Sequence, residues 1–196
     1  MTLEREIKRL LTKEDYARLL SHPELLPFPV RHQLQINYYY ETDDQGLHEH
    51  GITVRVRQKE AALTLEVKYP ARGAGESAGY RIKQELSRPV DALPLRFELE
   101  REFPELGIRG EAHLTLPLIT ERSSFRISGG TRVELDRSSY LGITDYELEI
   151  EFEEGEAEEA FRMYKRLLPD SEAGDSTSDG KNTRFFRQYR QLMRER

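Results

Sequence analysis

Glu4, Glu6 and Lys8 occupy alternate positions of Leu3-Glu4-Arg5-Glu6-Ile7-Lys8, and in an extended chain residues two apart point the same way. Read as a strand, this segment presents two carboxylates and an ammonium on one face, with Leu3, Arg5 and Ile7 opposite. The pattern recurs. Thr53, Arg55 and Arg57 oppose Ile52, Val54 and Val56; Glu66 and Lys68 oppose Leu65 and Val67; Arg81, Lys83 and Glu85 oppose Ile82 and Leu86. Later, Arg132, Glu134 and Asp136 oppose Val133 and Leu135, and Glu147, Glu149 and Glu151 oppose Tyr146, Leu148, Ile150 and Phe152. One apolar and one wet face is ordinary for a half-buried strand. What that account leaves over is chemical sorting. Three glutamates on one face repel, whereas Arg55, Arg57 and Lys68 concentrate positive charge on neighbouring strands. Such a cavity suits a metal-bound polyphosphate. Carboxylates are hard oxygen ligands for Mg²⁺ or Mn²⁺, and arginine grips phosphoryl oxygens bidentately while lysine adds compact charge.

The elements that must position these groups follow from the period. A short strand over 3–10 leads to Thr12-x-x-Asp15, a capping pattern that opens a short helix running to about Ser21. Pro23, Pro27 and Pro29 break the chain, and a period of two then marks strands at 33–40, 52–58, 62–69 and 80–86. Asp43 to Gly46 and Gly129-Gly130 supply turns, and the glycines Gly73, Gly75 and Gly79 form a link. Leu95, Leu99 and Phe103 share a helical spacing, so Pro89 to Gly110 is expected to be mostly helix. Strands return at 113–116, 119–127, 131–136 and 145–152. After these come helices at about 156–168 and 184–194, on either side of a polar loop at 175–180. The sum is an α+β chain of 196 residues: one domain built on about eight antiparallel strands with flanking helices, in which closure to a barrel would remove exposed edges.

Composition narrows the chemistry. The chain has no cysteine, which excludes disulfides, thiolate metal sites and cysteine nucleophiles. With 36 acidic and 30 basic residues the formal charge is −6, against broad nucleic-acid binding. No apolar run is long enough to cross a bilayer, so a cytoplasmic protein is expected. His22, His32, His48, His50 and His113 fall outside the charged-strand pattern and read as local structural residues. Arg184, Arg187, Arg190, Arg194 and Arg196 form a basic strip, read as a solvated helix face.

The opening Glu4-x-Glu6-x-Lys8 resembles the hallmark of the CYTH domain proteins, or triphosphate tunnel metalloenzymes. The likeness extends through Val54-Arg55-Val56-Arg57, Leu65-Glu66-Val67-Lys68, Arg81-Ile82-Lys83-Gln84-Glu85 and Glu147-Leu148-Glu149-Ile150-Glu151. Within that superfamily the chain resembles the compact bacterial branch of Bacillus-like organisms. The resemblance implies an eight-stranded antiparallel β-barrel forming a tunnel, and a divalent cation, Mg²⁺ or Mn²⁺. It places Glu4, Glu6, Glu149 and Glu151 on the metal, with Glu147, Glu85 and Asp136 as further acidic neighbours. It places Lys8, Arg55, Arg57, Lys68, Arg81, Lys83 and Arg122 on phosphate, and Lys181 over the phosphate tail. Glu4, Glu6, Lys8, Arg57 and Lys68 would be the catalytic set.

The expected activity is metal-dependent hydrolysis of a triphosphate phosphoanhydride bond, with inorganic triphosphate as first substrate because no base pocket stands out. Nucleoside or thiamine triphosphate remain alternatives, and cyclisation to cyclic AMP is less favoured. A non-catalytic polyphosphate or nucleotide sensor is the rival class. A barrel holding an apolar ligand would follow if Arg55 and Glu149 pointed outward. The expected partner is a triphosphate-bearing small molecule, with a homodimer left open.

Overall fold

The computed structural model describes residues 2–71, 79–171 and 179–194. Its strands are β1 (Thr2–Leu11), β2 (Val30–Glu41), β3 (Thr53–Lys59), β4 (Ala62–Pro70), β5 (Arg81–Val90), β6 (Arg96–Glu98), β7 (Glu111–Arg126), β8 (Thr131–Tyr140) and β9 (Ile143–Phe152). Helices are α1 (Lys13–Leu20), α2 (Gly46–Glu49), α3 (Leu99–Glu102), α4 (Ala157–Leu167) and α5 (Lys181–Arg194). The antiparallel order β2-β3-β4-β5-β1-β9-β8-β7 closes because β7 also pairs with β2, and β6 adds to the outside of this ring along β7. Eight strands therefore form a barrel, as the family resemblance implies.

Closure sends the charged faces inward and the apolar faces outward, so the hydrophobic core lies around the barrel. Ile7 of β1, Val133 and Leu135 of β8, and Leu148 and Ile150 of β9 are fully buried against Leu19 of α1 and Ala160, Met163, Tyr164 and Leu167 of α4. On the other side, Val54, Val56, Leu65 and Val67 pack with Tyr40, Leu47, Leu99 and Phe103. The Thr12 hydroxyl accepts from the Asp15 amide at 3.0 Å and so starts α1, as the capping pattern predicts. At one end of the barrel Tyr39, Leu118 and Tyr140 share the inward parity of their strands and pack against Phe185 and Phe186 of α5. That helix thus closes this end.

The structure corrects three expectations. Residues 89–110 hold the end of β5, β6, the one-turn α3 and a short 3-10 turn at Pro104–Leu106 rather than a long helix. Leu99 and Phe103 are buried as the helical spacing suggests, but Leu95 is 76% exposed, so the stripe has no third member. The segments 113–116 and 119–127 are one 16-residue strand, in which Pro117 is accommodated beside a register shift at Tyr38/Tyr40. Finally, α5 begins at Lys181 rather than Arg184. Gly73, Gly75, Arg196 and most of the 175–180 loop, Ser178 included, lie outside the described residues.

An outer core makes a sharp stability prediction. Leu148→Ala, at a fully buried outward position, is expected to cost about 2–5 kcal/mol in denaturant unfolding. Leu34→Ala, on a stretch of β2 where the side chain is 56% exposed, should change stability by no more than about 0.5 kcal/mol. Equal losses would contradict this arrangement of the core.

Candidate functional site

The barrel encloses a cavity of about 1090 Å³, and Glu6, Arg55, Lys83, Arg122, Glu134 and Glu149 are among the side chains on its wall. Strand register sets their heights. Across β1 and β9, Glu6 faces Glu151 and Lys8 faces Glu149; across β8 and β9, Glu134 faces Glu149 and Asp136 faces Glu147. Charged groups from strands distant in sequence therefore meet in pairs and triads.

Two groups of three carboxylates lie close enough to share one cation, their nearest oxygens within 4.8 Å of one another: Asp136, Glu147 and Glu149, and Glu134, Glu149 and Glu151. They share Glu149 but differ in compensation. In the first, Arg122 donates to both Asp136 oxygens at 2.7 Å and to Glu149 Oε2 at 2.7 Å. Lys8 Nζ stands 2.5 Å from Glu149 Oε1 and 3.7 Å from Glu147. Lys181 Nζ lies 2.8 Å from Asp136 and 2.7 Å from Glu149 and also contacts Glu147. Burial opposes charge on Glu149, yet Lys181, Lys8 and Arg122 hold it well below the usual carboxylate range. Burial likewise opposes charge on Lys8, but Glu147, Glu149 and Glu6 keep its ammonium well above the usual lysine range.

In the second group Glu149 keeps these cations, and the shortage of positive charge falls on Glu151. Arg122 contacts Glu134, but Arg132 stands 3.6 Å from both Glu134 and Glu151. Burial, and then the Glu134 carboxylate with smaller contributions from Glu4 and Glu149, push Glu151 up to about 8 against the pull of Arg122. Hard oxygens with unmet negative charge fit a divalent cation.

The opposite wall has the reverse shortage. Arg55 binds Glu66 through Nε at 2.8 Å and Nη2 at 2.7 Å, while Arg57 keeps only Asn37 at 3.0 Å and the same Glu66 at 3.5 Å. Burial and then Arg55 lower the pKa of Arg57. Lys83 is lowered by burial and by Lys8 and Lys68 against Glu6, and Lys59 by burial and Arg57. Half-buried cations depressed in this way favour an arriving anion.

Every candidate position of the sequence reading that lies on a strand reaches this interior, Arg55 and Glu149 included, which removes the premise of an apolar-ligand barrel. Glu4 belongs to neither carboxylate group, and Lys68 meets both of its oxygens at 2.6 Å. Glu85 stands 3.5 Å from the same lysine. Glu6 lies 3.3 Å from Lys8. Lys181, which the resemblance places on the phosphate tail, has its ammonium on three carboxylates. Glu134 and Lys59 were not singled out from sequence. Each continues an alternation that was visible, Glu134 between Arg132 and Asp136 and Lys59 two residues after Arg57. Among the histidines, His48 packs on Phe186 and meets Arg190 at 3.4 Å.

Comparison with known proteins agrees with this geometry. The CYTH domain model matches residues 2–178, and the chain belongs to that family. A Bacillus subtilis protein named "Putative triphosphatase YjbK" is 26% identical over 201 residues, covering 97% of this chain and 98% of that protein. A Bacillus halodurans structure, described as a "putative adenylate cyclase", has a TM-score of 0.68 at 29% identity over 95% of this chain and all of the other. A Hippeastrum structure, described as a "putative adenylyl cyclase" that reveals a dominant triphosphatase activity, has a TM-score of 0.70 at 23% identity over 94% and 95% of the two chains.

The raised Glu151 carboxyl predicts a pH dependence of the metal-free protein. The folded chain keeps this proton up to about pH 8, whereas the unfolded chain releases it near 4.5. Folding therefore takes up a proton between these values, and this contribution, complete below 4.5, is lost as pH rises through 8. Unfolding midpoints measured in chelator should fall across that window, and Glu151→Gln should flatten the slope. An unchanged slope in the variant would assign the proton elsewhere.

Proposed function

We propose that this chain is a divalent-metal-dependent hydrolase of triphosphate phosphoanhydride bonds, with inorganic triphosphate as its first substrate. One observation carries the reading: a single cavity holds a sparsely compensated carboxylate, Glu151, on one wall and sparsely compensated cations, Arg57 and Lys83, on the other. A metal-bound triphosphate satisfies both at once. Glu134, Glu149 and Glu151 would hold Mg²⁺ or Mn²⁺, with Glu6 beside Glu151 in register. The chemistry such a cation supplies when bound is Lewis-acid stabilisation of phosphoryl oxygens and a water of lowered pKa. Arg57 and Lys83, with Arg55, Lys68 and Arg81 around them, would bind and orient the phosphate chain. Lys8 and Arg122 sit between the two walls, where charge grows on the transferring phosphoryl group. Water adds to the terminal phosphorus, the bridging P–O bond breaks, and orthophosphate and diphosphate leave.

The name carried by the B. subtilis relative supports this activity, and that of the B. halodurans relative points to cyclisation of a nucleotide. Cyclisation needs a held base, and the aromatic rings of the cavity are spent on packing. Tyr39 lies 5.0 Å from Phe185, and Tyr80 lies 5.1 Å from Phe152 and 6.2 Å from Phe161. Hydrolysis is therefore favoured.

Orthophosphate release from inorganic triphosphate in Mg²⁺ or Mn²⁺ tests the proposal. Repeated turnover is expected, with Glu151→Gln losing on the order of 10²-fold or more in kcat, the scale of losing a group that stabilises transition-state charge. Arg57→Ala should raise KM. Tight triphosphate binding without turnover under either metal would instead make the protein a binding module.

A further inference from the structure

Lysine has three N–H donors and no acceptor, so an ammonium met by three carboxylates is geometrically complete. Lys181 Nζ is in that position, 2.8 Å from Asp136 Oδ2, 2.7 Å from Glu149 Oε1 and in contact with Glu147 Oε2. These are the three residues of the inner carboxylate group, the more buried of the two groups among the described residues that bring enough oxygens together for a metal ion. Asp136 and Glu147 are almost wholly buried, and Lys181 itself is 11% exposed.

We propose that the Lys181 ammonium is the resident cation of the Asp136–Glu147–Glu149 group, so that divalent ions are confined to the outer Glu134–Glu149–Glu151 group. The inference rests on the metal-dependent reading above and sharpens it by setting how many ions the chain takes and where. Charge balance is its physical basis. The inner group carries three negative charges and is met by four cations: Lys181, Arg122, Lys8 and Arg184, the last at 3.4 Å from each Glu147 oxygen. Each of its six carboxylate oxygens lies within 4.0 Å of at least one of them. A divalent ion entering there would have to expel a positive group and then stand beside the remaining three. The outer group is less evenly met: the shared Glu149 keeps Lys8, Lys181 and Arg122, and Glu134 contacts Arg122, but Glu151 is answered by Arg132 at 3.6 Å.

The position of Lys181 makes this arrangement structural as well as electrostatic. It is the first residue of α5. One turn later Arg184 donates to Asp145 Oδ2 at 2.7 Å, and Phe185 and Phe186 pack against Tyr39. The helix that closes the barrel end therefore delivers the ammonium, and its apolar packing holds the ammonium in place.

Counting Mn²⁺ bound to the protein without triphosphate, by electron paramagnetic resonance of the free ion, provides the test. The wild-type chain is expected to bind one Mn²⁺ fewer than Lys181→Gln, and Lys181→Arg, which keeps the charge, should restore the wild-type number. In wild-type protein carrying ¹⁵N-labelled lysine, the buried Lys181 ammonium signal should persist on saturation with Mg²⁺, a measurement that needs no variant to fold. Equal Mn²⁺ numbers in wild type and Lys181→Gln, or loss of the buried ammonium signal in Mg²⁺, would overturn the inference while leaving a metal enzyme in place. No Mn²⁺ bound by either protein would overturn the metal-dependent reading and this inference with it.

Discussion

Placing Glu6, Lys8, Glu147 and Glu149 inside one barrel removes ions from water, at a cost of several kcal/mol each unless opposite charge is close and well aligned. The interior meets that requirement strand by strand. Lys8 stands on Glu149, Arg55 on Glu66, Arg122 on Asp136 and Lys68 on Glu4. Antiparallel register makes three of these pairs, because Lys8 faces Glu149, Arg55 faces Glu66 and Asp136 faces Arg122 directly across neighbouring strands, while Lys68 reaches Glu4 across β5. The remaining architecture follows from filling the barrel with charge. The core has to lie outside it, and α1 and α4 have to cover the apolar faces of β1, β8 and β9.

Compensation is incomplete in two places, and these define the candidate site. Glu151 has only the distant Arg132 against the Glu134 carboxylate beside it, while Arg57, Lys59 and Lys83 have less negative charge around them than their burial calls for. A protein interior that is otherwise closely balanced keeps such imbalances where a ligand completes them. The two shortages lie on different walls of one cavity, which explains why a single ligand carrying both a cation and a chain of anions fits better than either alone.

The inner carboxylates show how the same chemistry can serve structure. Asp136, Glu147 and Glu149 have the donor set of a metal site, yet Lys181, Arg122, Lys8 and Arg184 saturate them. Donor identity therefore does not separate a metal site from a buried ion network. The charge left over after the protein's own cations are counted does.

The strand alternation around Glu4, Arg55, Lys68, Glu134 and Glu149 could be read from sequence, because a period of two depends only on local backbone geometry. Thr12 at the start of α1 and the apolar faces of α4 and α5 were legible for the same reason. The family motif added the barrel, and with it the direction in which the charges point. Pro89 to Gly110 misled because its apolar spacing of four has only two buried members, and the local pattern does not register that Leu95 is left in solvent. Which charges pair was decided by tertiary structure alone. Glu4 meets Lys68 and Lys181 meets Asp136 only after the barrel closes and α5 docks on its end. Alternation places a charge on a face, but its partner comes from another strand or helix, 64 residues away for Lys68 and Glu4 and 141 for Lys8 and Glu149, and only the closed register brings the two within bonding distance.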